Sequence, residues 1–391
     1  MSERKGKNIL FINGIFEGHL SGIVEVVKDL VSLGHTVTCY ILDSFADRLK
    51  STGAKLKIYH IDKSDIRLHP KAPPIAFNMF IVYKAYEQIL SEGIKSNEKY
   101  DYLIVDRFFD GRELNKIFKA NTVISAYISV FISKDSPEAD INKDIYIQKR
   151  IEFFKPLNAK YNLDIRDCKM MPFIADSQYK LILTSKFFNP DNYALTDKSF
   201  YFIGPSIENR EIDYTFNFKK DENKKLIYIS LGTIVPKKVD FYKKCIKTFG
   251  NSKEFQVILS VGKTLDIMEF GDLPDNIYVY NYIPQIQVLD YTDIFITHGG
   301  INSIYEALLL KNLPLIIVPA MDDQFYNAEK IAKSGAGITL NIENVTSEIL
   351  LNSVYELLKN KEKYKIGVNK IVESFKEARN ERKKIYEELF K

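Results

Sequence analysis

Tryptophan is absent from the 391 residues, and cysteine occurs only three times. Cys39, Cys168 and Cys245 are odd in number and far apart, and no Cys-x-x-Cys or mixed Cys/His ligand spacing occurs. That argues against a disulfide framework and against a structural zinc site, and isolated thiols suit a reducing compartment. No apolar stretch approaches the ~20 residues that a membrane-spanning helix requires. The opening Met1-Ser2-Glu3-Arg4-Lys5-Gly6-Lys7 runs straight into a short apolar strand without the apolar core of a secretion signal, so a cytoplasmic location is expected. Charge of one sign is scarce as well. A net charge of +4 from 55 Lys/Arg and 51 Asp/Glu gives no electrostatic case for a nucleic-acid partner. Asp-x-Asp, a simple way to hold a divalent ion beside a diphosphate, is missing, and no metal ligand set is expected. Short repeats and low-complexity tracts are absent too.

What is present is an ordinary globular composition, 46% hydrophobic and 27% charged. The chain is too long for one core and suits two domains of about 150–200 residues each. Asn8-Ile9-Leu10-Phe11-Ile12 reads as a buried parallel strand, followed by a polar turn from Asn13 to Gly22. Ile23, Val26, Val27, Leu30 and Val31 then recur at helical spacing up to Gly34, and Thr36 to Leu42 is a second strand. Further strands are expected at Tyr102–Asp106 and Thr122–Ser125. Phe200 to Ser206 ends at a Gly-Pro turn, and a charged stretch from Glu208 to Lys225 precedes a new apolar strand, Leu226 to Gly232. Both halves therefore open as βαβ units.

The most informative stretch is Thr297-His298-Gly299-Gly300-Ile301-Asn302-Ser303-Ile304-Tyr305-Glu306. It follows an apolar strand and opens a run with helical spacing. A glycine pair lets backbone approach a ligand closely, and the first turn of a helix offers unpaired N–H groups to an anion. His298, Asn302 and Ser303 add side-chain donors, which makes a cradle for phosphate. It is not a Walker loop: Gly262-Lys263-Thr264 lacks the required glycine, since position 257 is Val. A second apolar strand, Pro314 to Pro319, leads to Asp323-Gln324, suited to hydrogen-bonding vicinal hydroxyls. Glu306 stands one turn into the helix, within reach of a ribose, and Tyr282-Ile283-Pro284-Gln285 supplies a ring and an amide to stack on and read a base. Strand, phosphate-binding helix, strand and polar residues at the strand's carboxyl end place a nucleotide at the mouth of a parallel sheet.

Tyr282-x-Pro284-Gln285, Thr297-His298-Gly299-Gly300-x-Asn302-Ser303, Glu306 and Asp323-Gln324-x-x-Asn327-Ala328 resemble the donor signature of the family 1 UDP-dependent glycosyltransferases. The likeness is greatest to their bacterial macrolide-glycosyltransferase-like branch, and Ile229 to Thr233 and Leu259 to Gly262 extend it over nearly the whole chain. The resemblance implies the GT-B fold: two Rossmann-like α/β domains with parallel sheets facing an interdomain cleft, and a C-terminal helix crossing back to the first. Residues 1–205 would form the acceptor-binding domain, 206–224 a linker, 225–373 the nucleotide-sugar-binding domain, and 374–391 the returning helix. The resemblance also implies roles. Tyr282, where plant relatives have Trp, would stack on uracil, while Gln285 and Glu306 hold base and ribose. Thr233, His298, Asn302 and Ser303 would bind the diphosphate beside Gly300, and Asp323 with Gln324 the hexose. The partners are then a UDP-sugar co-substrate and a small, apolar acceptor, with no further cofactor.

Transfer from such a donor requires stabilisation of a departing diphosphate and deprotonation of an attacking hydroxyl. The helix at 301 serves the first. For the second, His19 is the best placed of five histidines, in the turn after the first strand, with Asp106 ending another parallel strand at the same edge. The pair also matches the family's catalytic His and Asp. Taken alone, a loop histidine is more often a turn or capping residue, and Asp106 could be a cap or an ion-pair partner of Arg107. Here His19 is followed by Leu20-Ser21-Gly22, whereas relatives carry a hydrophobic residue, Asn and Pro. A lipid or cell-envelope glycosyltransferase and a non-catalytic nucleotide-sugar-binding subunit are the competing readings.

Overall fold

The computed structural model describes residues 6–14, 17–62, 74–128, 145–165, 177–189, 193–207, 216–232, 239–262, 265–321 and 323–391. The chain divides into two units, one of Met1–Glu208 with Glu377–Lys391, the other of Asn209–Lys376. Phe216 and Phe218, in the stretch after the first unit, pack against Tyr280 and Tyr278 of the second.

Among the described residues the first unit is built on seven parallel strands: β1 (Asn8–Ile12), β2 (Thr36–Leu42), β3 (Lys55–Tyr59), β4 (Tyr102–Asp106), β5 (Thr122–Tyr127), β6 (Tyr179–Ile182) and β7 (Phe200–Phe202), ordered β3-β2-β1-β4-β5-β6-β7. The inner strands are apolar on both faces because helices cover both. Leu10, Ile12, Leu103 and Val105 pack with the helix Pro74–Lys95 on one side. Ile9, Phe11 and Ile104 pack with Leu20, Ile23, Val27 and Leu30 of the helix Glu17–Ser32 on the other.

Among the described residues the second unit has six parallel strands: β8 (Lys225–Ser230), β9 (Phe255–Ser260), β10 (Ile277–Tyr280), β11 (Ile294–Thr297), β12 (Leu315–Ile317) and β13 (Gly337–Thr339), ordered β10-β9-β8-β11-β12-β13. In both sheets the connections reverse direction beside the first strand, between β1 and β4 and between β8 and β11. Ligands of open parallel sheets bind outside the carboxyl ends of the strands at such switch points. The two Rossmann-like α/β units expected from the sequence are both present.

The long helix Lys361–Leu389 ends within the first unit. Its Arg382 is 5% exposed. The guanidinium donates to the carbonyls of Ile203, Gly204 and Pro205 and pairs with Glu25 and Asp29 on the helix Glu17–Ser32. Tyr386, Leu389 and Phe390 fill the core beneath. Among the described residues, no helix is long and apolar enough to cross a membrane. Cys39 and Cys245 are buried thiols, and burial pushes Cys39 up to about 12, which keeps it protonated and unreactive. Cys168 lies outside the described residues.

Candidate active site

At the first switch point, β1 runs through Asn13 and Gly14 towards the helix Glu17–Ser32, and His19 sits in that helix's first turn. The sequence places His19 in a turn and starts the helix near Ile23. Gly18, Ser21 and Gly22 read as loop residues, but packing overrides their propensity: Leu20 is fully buried, and a Cβ on Gly22 would stand 2.8 Å from Leu183.

His19 Nδ1 lies 2.7 Å from Asp106 Oδ2, at the last residue of β4. The other carboxylate oxygen accepts the Phe108 N–H at 3.1 Å, and the imidazole packs on the Phe108 ring with centroids 4.7 Å apart. Arg107, the alternative partner for Asp106, has its guanidinium over the same ring at 5.4 Å. Position 14 must be glycine here, since a Cβ would come within 2.7–2.9 Å of the Asp106 carboxylate atoms. A carboxylate can only accept, so Nδ1 carries the proton and Nε2 keeps its lone pair. The pair is an oriented base.

At the second switch point the backbone after β8 and after β11 meets around one imidazole. A Cβ on Gly232 would stand 2.7 Å from the His298 ring, and one on Gly300 only 2.4 Å from its Nε2. Gly232 and Gly299 also have positive φ, 74° and 84°, which a side chain would oppose. Gly300 then caps the helix that begins at Ile301, so the first N–H groups of that helix have no carbonyl within it to bond. This segment turns from α into π geometry at Glu306–Leu310. A π turn often marks a functional position, and the sequence carries no sign of it.

Enclosure by protein pulls the pKa of His298 down to about 4, opposed by its hydrogen bond to the Ser230 carbonyl, although the residue as a whole is only partly buried. The imidazole is therefore neutral at pH 7. It offers an N–H to an anion and not a positive charge. In the unfolded chain it would protonate near 6.5, so the unfolded state binds more protons between about 6.5 and 4. Stability of the second unit is accordingly full above that window and falls on the order of 2 kcal/mol as pH drops through it. Replacing His298 by Gln should flatten this part of the urea-unfolding profile against pH. An unchanged slope would mean that the ring is not enclosed.

Gln285 comes together with Ser303 and Glu306 although it derives from a separate motif. Gln285 Nε2 donates to Glu306 Oε2 at 2.6 Å and to Ser303 Oγ at 3.2 Å, and Gln285 Oε1 accepts from the Tyr228 hydroxyl at 3.3 Å. Tyr282 stands just beyond β10 and is 51% exposed. Asn281, not singled out in the sequence, holds this loop by donating to the carbonyls of Gly262 and Leu265. Asp323 and Gln324 open the helix Asp323–Lys333. Asn327 donates to Asp323 Oδ2 at 3.3 Å and to the Gly299 carbonyl at 2.9 Å, which ties this pair to the glycine loop. Gln324 is buried, with Oε1 already accepting the N–H groups of Ala320 and Met321, so only its Nε2 is left for a ligand. Asn302 lies in the first turn at 301. Thr233 lies outside the described residues. Among the described residues no group of His, Cys, Asp or Glu is gathered that could hold a metal ion.

Comparison with known proteins gives a consistent picture. Residues 217–377 match the family described as UDP-glucoronosyl and UDP-glucosyl transferase. The chain is 27% identical over 402 aligned residues to the UDP-glucosyltransferase YojK of Bacillus subtilis, covering 96% of this chain and 95% of that protein. It is 24% identical to the oleandomycin glycosyltransferase of Streptomyces antibioticus, covering 87% and 81%. In fold it is similar to the crystal structure of the kitacinnamycin glycotransferase, with a TM-score of 0.79 at 23% identity over 98% of this chain and 99% of that one.

Proposed function

We propose that the chain is a family 1 UDP-dependent glycosyltransferase and transfers a hexose from a UDP-sugar, with inversion, to a hydroxyl of a small, apolar acceptor of the natural-product kind. The observation that carries the catalytic part is the His19–Asp106 pair at 2.7 Å, which orients the imidazole through Nδ1. His19 takes the hydroxyl proton as the acceptor oxygen attacks the anomeric carbon. The bond from that carbon to the diphosphate oxygen breaks, and UDP departs. Asp106 stabilises the imidazolium formed on the way. An α-linked donor then yields a β-glycoside in a single displacement.

The donor is held in parts. Tyr282 stacks on uracil, and Gln285 with Glu306 hold the nucleoside. The N–H groups at 301–303, the side chains of Asn302 and Ser303, and the neutral His298 take the diphosphate. Helix dipole and fixed donors supply the charge stabilisation that the leaving group needs. Asp323 and Gln324 Nε2 bind the hexose hydroxyls, with the carboxylate accepting and the amide donating.

Release of UDP from a panel of UDP-hexoses, with and without hydroxylated apolar acceptors, tests this reading. Turnover that depends on both partners supports it, and hydrolysis or silence with every donor contradicts it. Asp323→Ala tests the sugar contact separately. It is expected to weaken the full UDP-hexose by about tenfold while UDP alone binds within about twofold of the parent. Equal losses for both ligands would remove Asp323 from the hexose.

A further inference from the structure

Tyr228 is a residue that the mechanism above leaves unused. It lies in β8 directly opposite Phe295 of β11, fully enclosed, with the two rings stacked at 4.9 Å and 9°. On sequence alone it is one more aromatic inside an apolar strand. Its hydroxyl, however, reaches the amide of Gln285, and the hydroxyls of Ser230 and Ser260 also bond it. Burial pushes the phenol well above its usual range, with Glu306 adding to the effect, so it remains a protonated donor.

The polarity of this chain of bonds is set from its charged end. Glu306 as a carboxylate accepts only, so the Gln285 amide must turn Nε2 towards it. Oε1 then faces Tyr228, and the phenol has to donate. The reversed amide would set two oxygens against each other at Glu306. Tyr228 and Glu306 thus pin the two ends of one amide, and Ser303 adds a third restraint.

We infer that Tyr228 is a positioning residue for the nucleotide. By donating to Gln285 Oε1 it fixes the Gln285–Glu306 pair in the arrangement that meets the two ribose hydroxyls. The inference rests on the reading of Gln285 and Glu306 as nucleoside-holding residues and adds to it a buried group that never touches the ligand. Phe at this position keeps the ring stack on Phe295 and removes only the donor. Gln285 Oε1 then loses its donor, and the amide is free to turn away from the geometry that the ribose requires.

The test is calorimetric titration of UDP and of 2′,3′-dideoxy-UDP into the parent protein, Tyr228→Phe, Gln285→Ala and the double variant. Tyr228→Phe is expected to weaken UDP by about tenfold and to leave the dideoxy nucleotide within about twofold, because only the former carries the hydroxyls being held. In the Gln285→Ala background the same change should cost nothing further for UDP. The KM for the UDP-sugar should rise with kcat unchanged. Equal loss for both nucleotides would reduce Tyr228 to a structural role and overturn the inference, as would a full tenfold loss that persists without Gln285. A parent protein that prefers UDP while Tyr228→Phe keeps that preference removes Tyr228 alone. A parent protein that binds both nucleotides equally removes the ribose role of Gln285 and Glu306, and with it the reading beneath.

Discussion

His19→Ala is expected to lower sugar transfer by about 10²–10⁴-fold while UDP affinity stays within about twofold of the parent, because the base acts only on the acceptor proton. The structural case is the tautomer. Asp106 accepts from Nδ1 at 2.7 Å and has its other oxygen held by the Phe108 N–H, so the carboxylate cannot rotate out of the bond. Asp106→Asn sharpens the test. Its amide keeps the shape, and if the oxygen stays on the Phe108 N–H, the NH₂ group faces His19. Nδ1 must then accept and Nε2 must carry the proton, which inverts the imidazole and removes its lone pair from the acceptor. A loss comparable to that of His19→Ala is expected, as in other His–Asp pairs where the amide enforces the wrong tautomer. Steady-state rates and UDP titrations on both variants check this. Unchanged turnover in either would take the pair out of the mechanism, and a parallel loss of UDP binding would mean that folding was damaged.

Arg382→Ala is expected to destabilise the first unit by about 3–5 kcal/mol, the usual cost of removing one partner from a buried ionic cluster. The change strands three backbone carbonyls, from Ile203 to Pro205, together with the carboxylates of Glu25 and Asp29. Arg382→Lys should recover only part of the loss, because a single ammonium cannot reproduce the planar fork that reaches carbonyls and carboxylates together. Glu25 and Asp29 stand on the same helix as His19. The variant should therefore lose transfer activity at temperatures where its fold is still mostly intact. Urea unfolding followed alongside activity separates the two effects, and a loss below 1 kcal/mol would show that the cluster is solvated and weak.

Much of the fold is legible in the sequence where strands are buried on both faces. Asn8–Ile12, Tyr102–Asp106 and Ile294–Thr297 are continuous apolar runs, the pattern that a helix-covered parallel sheet imposes. The edge strands are not legible. Lys55–Tyr59 is half exposed and alternates Lys with apolar residues, and Gly337–Thr339 is too short to show a period. The helix carrying His19 starts earlier than its composition suggests, because glycine and serine there serve close packing and not a turn. At the candidate site, the motifs mark residue types but not their bonds. Nothing in the spacing shows that Gln285, Ser303 and Glu306 share one amide, that His298 is neutral, or that Gly14 makes room for Asp106. Tyr228 is hidden for a different reason. Its ring belongs to the core and only its last atom belongs to the site.

Thermal unfolding of the protein with UDP, TDP or ADP, each without added metal, tests the central claim of a uridine-nucleotide donor site most directly. A ligand at ~100 times its dissociation constant stabilises its target by roughly 2.7 kcal/mol, a readily measured shift in Tm. The account predicts that shift with UDP, a larger one with a matching UDP-hexose, and little with ADP. Equal stabilisation by ADP, or none by UDP, would contradict it.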